Sequence, residues 1–244
     1  RAPTDNDYGA RLQQRFAVWK NPGYKLTNIC HNPDGNNHVV KAVFNLEKAK
    51  GQLVMTYTLK ADGSLLVAQD FTADKTVEKG PEMFRFGMQL QMPERFSTID
   101  YYGRGPVENY SDRNNSEFIG HYTANVSDEY YEYVRPQESG NHTDVRTFKV
   151  YDKTTGEGLL FMSDAPMQCS AINYLMDDLD DGMHKEKKWG RHSGDLIPRH
   201  LTYVNILKYQ IGLACENSWG AWPLEKYRLP YKDYSFKFII KSTK

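Results

Sequence analysis

Residues Phe84-Arg-Phe-Gly-Met-Gln-Leu-Gln-Met92 place an apolar side chain at every second position, the period of a strand with one buried face. Runs 39–46, 52–60 and 64–72 are rich in Val, Leu, Thr, Tyr and Phe and are separated by Gly51 and Asp62-Gly63, which predicts an antiparallel meander. Further strands are predicted at 146–151, 157–163, 168–174, 200–207 and 234–241. The one helical period falls at 174–186, where Leu175, Leu179 and Met183 recur at i, i+4 and i+8. Strands do not alternate with helices, so a doubly wound parallel sheet is excluded and an all-β antiparallel sandwich or barrel is expected. With no linker, repeat or low-complexity stretch, residues 1–244 read as a single domain.

Composition narrows the partners. Thirty-one basic residues balance thirty-one acidic ones, so no global field draws nucleic acid or an anionic membrane. No apolar run approaches the ~18 residues of a membrane span, and a soluble protein is expected. The start, Arg1-Ala2-Pro3, carries neither an initiator methionine nor a signal peptide, which predicts a piece of a longer chain. Cys30, Cys169 and Cys215 are widely spaced, odd in number and without metal-ligand spacing, which predicts buried free thiols.

The chemistry concentrates in three segments. Tyr101-Tyr-Gly-Arg-Gly-Pro-Val-Glu-Asn-Tyr-Ser-Asp-Arg113 reads as a shaped loop, with Gly103 and Gly105 opening backbone angles closed to other residues and Pro106 constraining its own. Arg135-Pro-Gln-Glu-Ser-Gly-Asn-His-Thr-Asp-Val-Arg146 has the same character, and Arg1-Ala-Pro-Thr-Asp-Asn-Asp7 opens the chain. Glu108, Asp112, Glu138 and Asp144 are the carboxylates available for paired acid–base work, against the plainer reading that they bind loop amides and Arg104, Arg113, Arg135 and Arg146. In Cys215-Glu-Asn-Ser-Trp-Gly-Ala-Trp-Pro223, Trp219 either plugs the end of the sandwich or offers a flat apolar face to a sugar ring. For Trp222 the core reading leads. His184, His192 and His200 lack metal-pair spacing, and in Asp177-Asp-Leu-Asp-Asp-Gly182 Leu179 fills a calcium-ligand position, so no metal site is assigned.

Taken together, RAPTDND with Gly9, Trp19-Lys20, GRGPVENYSDR, RPQESGN and Ser218-Trp219 resemble the C-terminal small-chain domain (the fifth domain) of LacZ-like β-galactosidases of glycoside hydrolase family 2. The resemblance spans essentially the whole chain. It implies a galactose-mutarotase-like supersandwich within a bacterial enzyme that hydrolyses terminal β-D-galactosides with retention. It also implies that the acid and the nucleophile are glutamates of a preceding (β/α)8 barrel, so no catalytic residue lies here. Partners implied are that barrel and the galactoside, with a homo-oligomeric parent. No cofactor is implied for these residues, and Mg2+ and Na+ are candidates for the parent. The compartment, cytoplasmic or periplasmic, stays open.

Residue by residue, the resemblance makes Trp219 the sugar-stacking residue. Glu138, Asn141 and Arg146 are secondary sugar-facing candidates on a concave sheet face. Two departures stand out: Leu213-Ala214-Cys215 replaces the family's paired glycines, and Ala10-Arg-Leu-Gln-Gln-Arg15 replaces a loop with an acidic residue. Losing glycine restricts positive φ, so a changed presentation of Trp219 is expected. The competing reading is a free-standing carbohydrate-binding protein or aldose 1-epimerase of the same fold. An epimerase needs an acid and a base at the anomeric hydroxyl, and Asn37-His38 and Asn141-His142 lack the epimerase context.

Overall fold

A computed structural model describes residues 1–185, 192–214, 216–217 and 219–244. Strands β1 (Tyr24–Asp34), β2 (Asn37–Leu46), β3 (Gly51–Leu59) and β4 (Leu65–Ala73) form an antiparallel meander. They are followed by β5 (Arg85–Pro93), β6 (Thr98–Gly105), β7 (Phe118–Asn125), β8 (His142–Tyr151), β9 (Gly158–Ile172), β10 (Leu201–Gln210) and β11 (Tyr234–Thr243). Two short α-helices, α1 (Asp5–Gly9) and α2 (Leu12–Arg15), precede them, and the remaining helical turns among the described residues are 3-10. All pairings of these strands among the described residues are antiparallel.

The hydrogen-bonded order is β1-β2-β3-β4-β11-β9-β8-β6-β7, with β5-β10 attached through β9. Strand β9 makes the corner. Gly158–Met162 pairs with β11, while Gln168–Ile172 pairs with β10, and the intervening Asp164-Ala165-Pro166 is exposed. Two strands were expected here because that polar, proline-containing break interrupts the apolar run. The chain instead continues as one strand that changes partners, a usual way to turn a sandwich corner. Phe71 and Val67 of β4, Phe236 and Phe238 of β11, and Val204 and Ile206 of β10 share one buried core.

Three strands lie outside the expected set. β1 is exposed along nearly its whole length, with Tyr24, Leu26 and Ile29 open to solvent, so it has no buried face to leave an alternating trace. β7 is likewise an exposed edge. β6 takes up Tyr101–Gly105, the first half of the expected loop. Its glycines are there for close approach. Neither Gly103 nor Gly105 has positive φ, but a Cβ on Gly105 would sit 2.2 Å from the Tyr101 hydroxyl.

The expected helix at 174–186 does not form over the described residues; only Met176–Asp178 makes a 3-10 turn. Aspartate side chains compete for the backbone there. Asp178 accepts from Leu175 N at 2.8 Å and from Arg199 at 2.6 Å, and Asp180 accepts from Gly182 N at 2.8 Å. Leu179 is buried, but in a satellite cluster with Ala2, Ile172 and Tyr174. Residue 186 lies outside the described residues, as do Cys215 and Ser218. Cys169 is buried and Cys30 half-buried, both as free thiols. Among the described residues no helix is long and apolar enough to cross a membrane, and no three His, Cys, Asp or Glu side chains are grouped to hold a metal ion.

Candidate functional site

Trp219 is 90% exposed, which rules out the core-plug alternative. Trp222 does the packing instead: its ring lies 6.0 Å from Phe16, and the Arg228 guanidinium sits 4.6 Å over it. The backbone that carries Trp219 is braced from several sides. Asp112 accepts from Leu213 N and Ala214 N, each at 2.9 Å, while Asn6 Nδ2 donates to Leu213 O at 2.9 Å and Ala214 O at 2.6 Å. The backbone N–H and C=O of two consecutive residues are thus all held. Beyond them, Asn217 Oδ1 accepts from Trp219 N at 2.9 Å and closes an Asx turn under the indole.

The braces come from the sequence motifs. In RAPTDND, Thr4 and Asp7 form a capping box on α1, and Asp7 pairs with Arg1 at 2.8 Å. Arg1 also donates to Gly212 O at 3.2 Å, and the helix presents Asn6 to the 213–214 carbonyls. Asp112 arrives from GRGPVENYSDR. Gly9 and Gly220 meet backbone to backbone: a Cβ on Gly220, whose φ is +99°, would lie 2.6 Å from Gly9 C and O. Ala214 adopts φ +55° without glycine. The expected restriction of positive φ is therefore overcome at this residue. Left-handed backbone costs an alanine about 1–2 kcal/mol, and the hydrogen bonds from Asp112 and Asn6 offset it.

The four candidate carboxylates are all engaged within the fold. Glu108 accepts from Arg113 at 2.6 Å, Gly140 N at 2.7 Å, Tyr110 at 3.2 Å and the Tyr133 hydroxyl. Glu138 is buried and accepts from Ala2 N at 3.0 Å, and Asp144 pairs with Arg104. Asn141, also buried, donates to Asn109 O at 2.8 Å. Arg146 is half-buried, 5.7 Å over the Tyr102 ring, and binds Asp144 O. The structure thus places Glu138 and Asn141 inside the fold beside the 108–113 segment, with Arg146 nearer the surface. Two other buried centres stand beside these: Asn109, whose Oδ1 accepts from Thr143 N and Oγ1 at 2.9 and 2.6 Å, and the His142–Glu129 pair at 2.6 Å, of which sequence reasoning missed the second. The Asn-His dipeptide was the one visible signal for the latter.

Over residues 1–240 the chain matches the family described as β-galactosidase small chain. The chain belongs to the β-galactosidase small-chain family. It is 31% identical over 247 residues to the β-galactosidase of Halalkalibacterium halodurans, covering 98% of this chain and 23% of that protein. Against the β-galactosidase of Lactobacillus delbrueckii subsp. bulgaricus it is 32% identical over 224 residues, covering 90% of this chain and 21% of that protein. It thus spans less than a quarter of the length of these curated relatives. Among solved structures, the GalM/aldose epimerase homologue from C. elegans covers 90% of the chain and is itself covered to 68%, at 11% identity and a TM-score of 0.39.

The tyrosines that line this small-chain core make a pH prediction. Burial first, and then the Glu108 carboxylate, raise the Tyr110 and Tyr133 hydroxyls well above their ordinary value of 10.0; burial and then Glu129 do the same for Tyr101. Each folded pKa lies above its unfolded value. The stability these groups contribute is therefore complete below pH ~10 and lost as pH rises through the folded values. Thermal melts should show a falling Tm above pH ~10. A Tm that holds level as pH rises past that point would contradict this.

Proposed function

We propose that this chain is the C-terminal domain of a retaining family 2 β-galactosidase, where it packs on a catalytic barrel and closes one wall of the galactose pocket with Trp219. The observation that carries the reading is the pairing of a 90% exposed indole with a backbone clamped by Asn6, Asp112, Asn217 and the Gly9–Gly220 contact. A solvent-facing aromatic surface suits the C–H face of a hexose. Hydrolysis with retention needs two carboxyl groups about 5–5.5 Å apart across the scissile bond. Glu108, Asp112, Glu138 and Asp144 instead accept from amides, tyrosines or arginines of this fold. The barrel supplies the acid and the nucleophile in this reading, along with any Mg2+ or Na+ requirement.

In the full-length enzyme, Trp219→Ala should raise KM by the equivalent of roughly 1–3 kcal/mol, about 5- to 150-fold. The effect on kcat should be small, since stacking on a non-reacting face binds substrate and transition state alike. Tm should not move, because the side chain makes no core contact. An unchanged KM removes Trp219 from the pocket. The 244-residue chain alone should not cleave a chromogenic β-galactoside. Turnover lost on Glu108→Gln or Glu138→Gln would overturn the division of labour.

A further inference from the structure

Between β4, β5, β10 and the α2 region lies a cleft of about 420 Å³, within the range of small-molecule sites. Trp19 and Phe84 supply apolar walls, and the polar lining includes Arg1, Gln13, Gln69 and Asn205. These four are 5%, 3%, 5% and 3% exposed, so their polar atoms are cut off from bulk water. Yet Arg1 Nε and Nη1, Gln13 Oε1, Gln69 Oε1 and Asn205 Oδ1 have no hydrogen-bond partner among the described residues. They are five of the nine such buried atoms found there, gathered around one cleft. Native folds satisfy nearly all buried polar groups, so a cluster of exceptions calls for a missing partner.

The atom types define that partner. Gln13 Nε2 donates to Met183 O at 3.0 Å, which sets its amide and leaves Oε1 as the open acceptor. Asn205 is held through Ser170 at 2.9 Å. The ligand must donate to amide oxygens and accept from the Arg1 guanidinium. A carboxylate or phosphate offers acceptors alone and would face the three amide oxygens. An ammonium offers donors alone and would face Arg1 and Arg85, both of which line the cleft. A hydroxyl does both. Several hydroxyls on a compact ring with an apolar face for Trp19 and Phe84 describe a neutral monosaccharide. We propose that this cleft is a monosaccharide-binding site, separate from Trp219, which is not among its walls.

The test is calorimetric titration of the 244-residue chain with D-galactose and with D-glucose. Saturable binding of at least one sugar is expected. Gln69→Leu should weaken it about tenfold or more, since the loss of one buried hydrogen bond to ligand is on that scale. Its Tm without sugar should not fall, because an unpartnered oxygen is being replaced by hydrocarbon. Asn205→Leu supplies a second, independent loss. Trp219→Ala should leave the affinity unchanged, which separates this site from the pocket wall proposed above, itself tested on catalysis by the longer enzyme. The assignment is overturned by the absence of saturable heat with either sugar, as for a cleft holding only water. It is equally overturned by wild-type affinity in both leucine variants, or by binding that Trp219→Ala alone abolishes.

Discussion

Replacing Glu108 with alanine should destabilise the fold by about 3–5 kcal/mol, since it leaves several buried donors unsatisfied at about 1–3 kcal/mol each. At 2–4 °C per kcal/mol for a domain of this size, Tm should drop by about 6–20 °C. The Glu108 side chain is 6% exposed and takes hydrogen bonds from Arg113, Tyr110, Tyr133 and Gly140 N. Its loss strands the Gly140 amide and two tyrosine hydroxyls at once, and removes the partner of a guanidinium. The cost exceeds that of a surface pair because water cannot replace the carboxylate. Glu78→Ala is the control: Glu78 is exposed, and its change should stay within about 0.5 kcal/mol. Denaturant and thermal unfolding of both variants measure the difference. A Glu108 variant as stable as the Glu78 one would mean that the carboxylate is dispensable to the fold.

His142→Ala should have an effect of similar size, about 3–5 kcal/mol, by a different route, the loss of a buried ring and of its hydrogen bonds. His142 is fully buried, with Nε2 2.6 Å from Glu129 and Nδ1 3.2 Å from Arg104 O. Both ring nitrogens therefore lie within hydrogen-bonding distance of an oxygen. The ring also lies 4.3 Å from that of Tyr101. Alanine leaves the Glu129 side chain, 7% exposed, without its imidazole partner, together with a cavity beside Tyr101. The double variant His142→Phe/Glu129→Leu should recover most of the loss, since replacing both partners of a buried hydrogen bond by apolar groups of similar shape can be nearly neutral. A double variant no better than His142→Ala would mean that the pair contributes through shape alone.

How much of this was legible varies element by element. β2, β3 and β4 were marked by their Val-, Leu-, Thr-, Tyr- and Phe-rich runs between turn signals and β5 by alternation, each within one or two residues of its bounds. β1 buries neither face and left no alternation, although Asp34↔Asn37 closes a tight hairpin at Gly35. At 174–186 the leucine period was real, but side-chain acceptors on Asp178 and Asp180 took the amides a helix would have used. Trp219 was found through its motif. Its exposure was not, because a tryptophan beside glycine and proline suits a core plug as well as a solvent-facing loop.

The sequence by itself determined an antiparallel all-β chain, because its short β-branched and aromatic runs are joined by turn signals with no helix between successive strands. It also carried, in several ordered motifs, membership of the small-chain family. Only the tertiary structure decided what those motifs are for. Asn6 and Asp112 converge on the backbone of the same two residues, Leu213 and Ala214, from 207 and 101 residues away respectively. Gly9 meets Gly220 through backbone alone. Contacts between a side chain and a distant backbone impose no periodicity and no residue preference on the segment that is held. The scaffold under Trp219 therefore leaves its trace at the bracing residues and none at Leu213 and Ala214, which it positions.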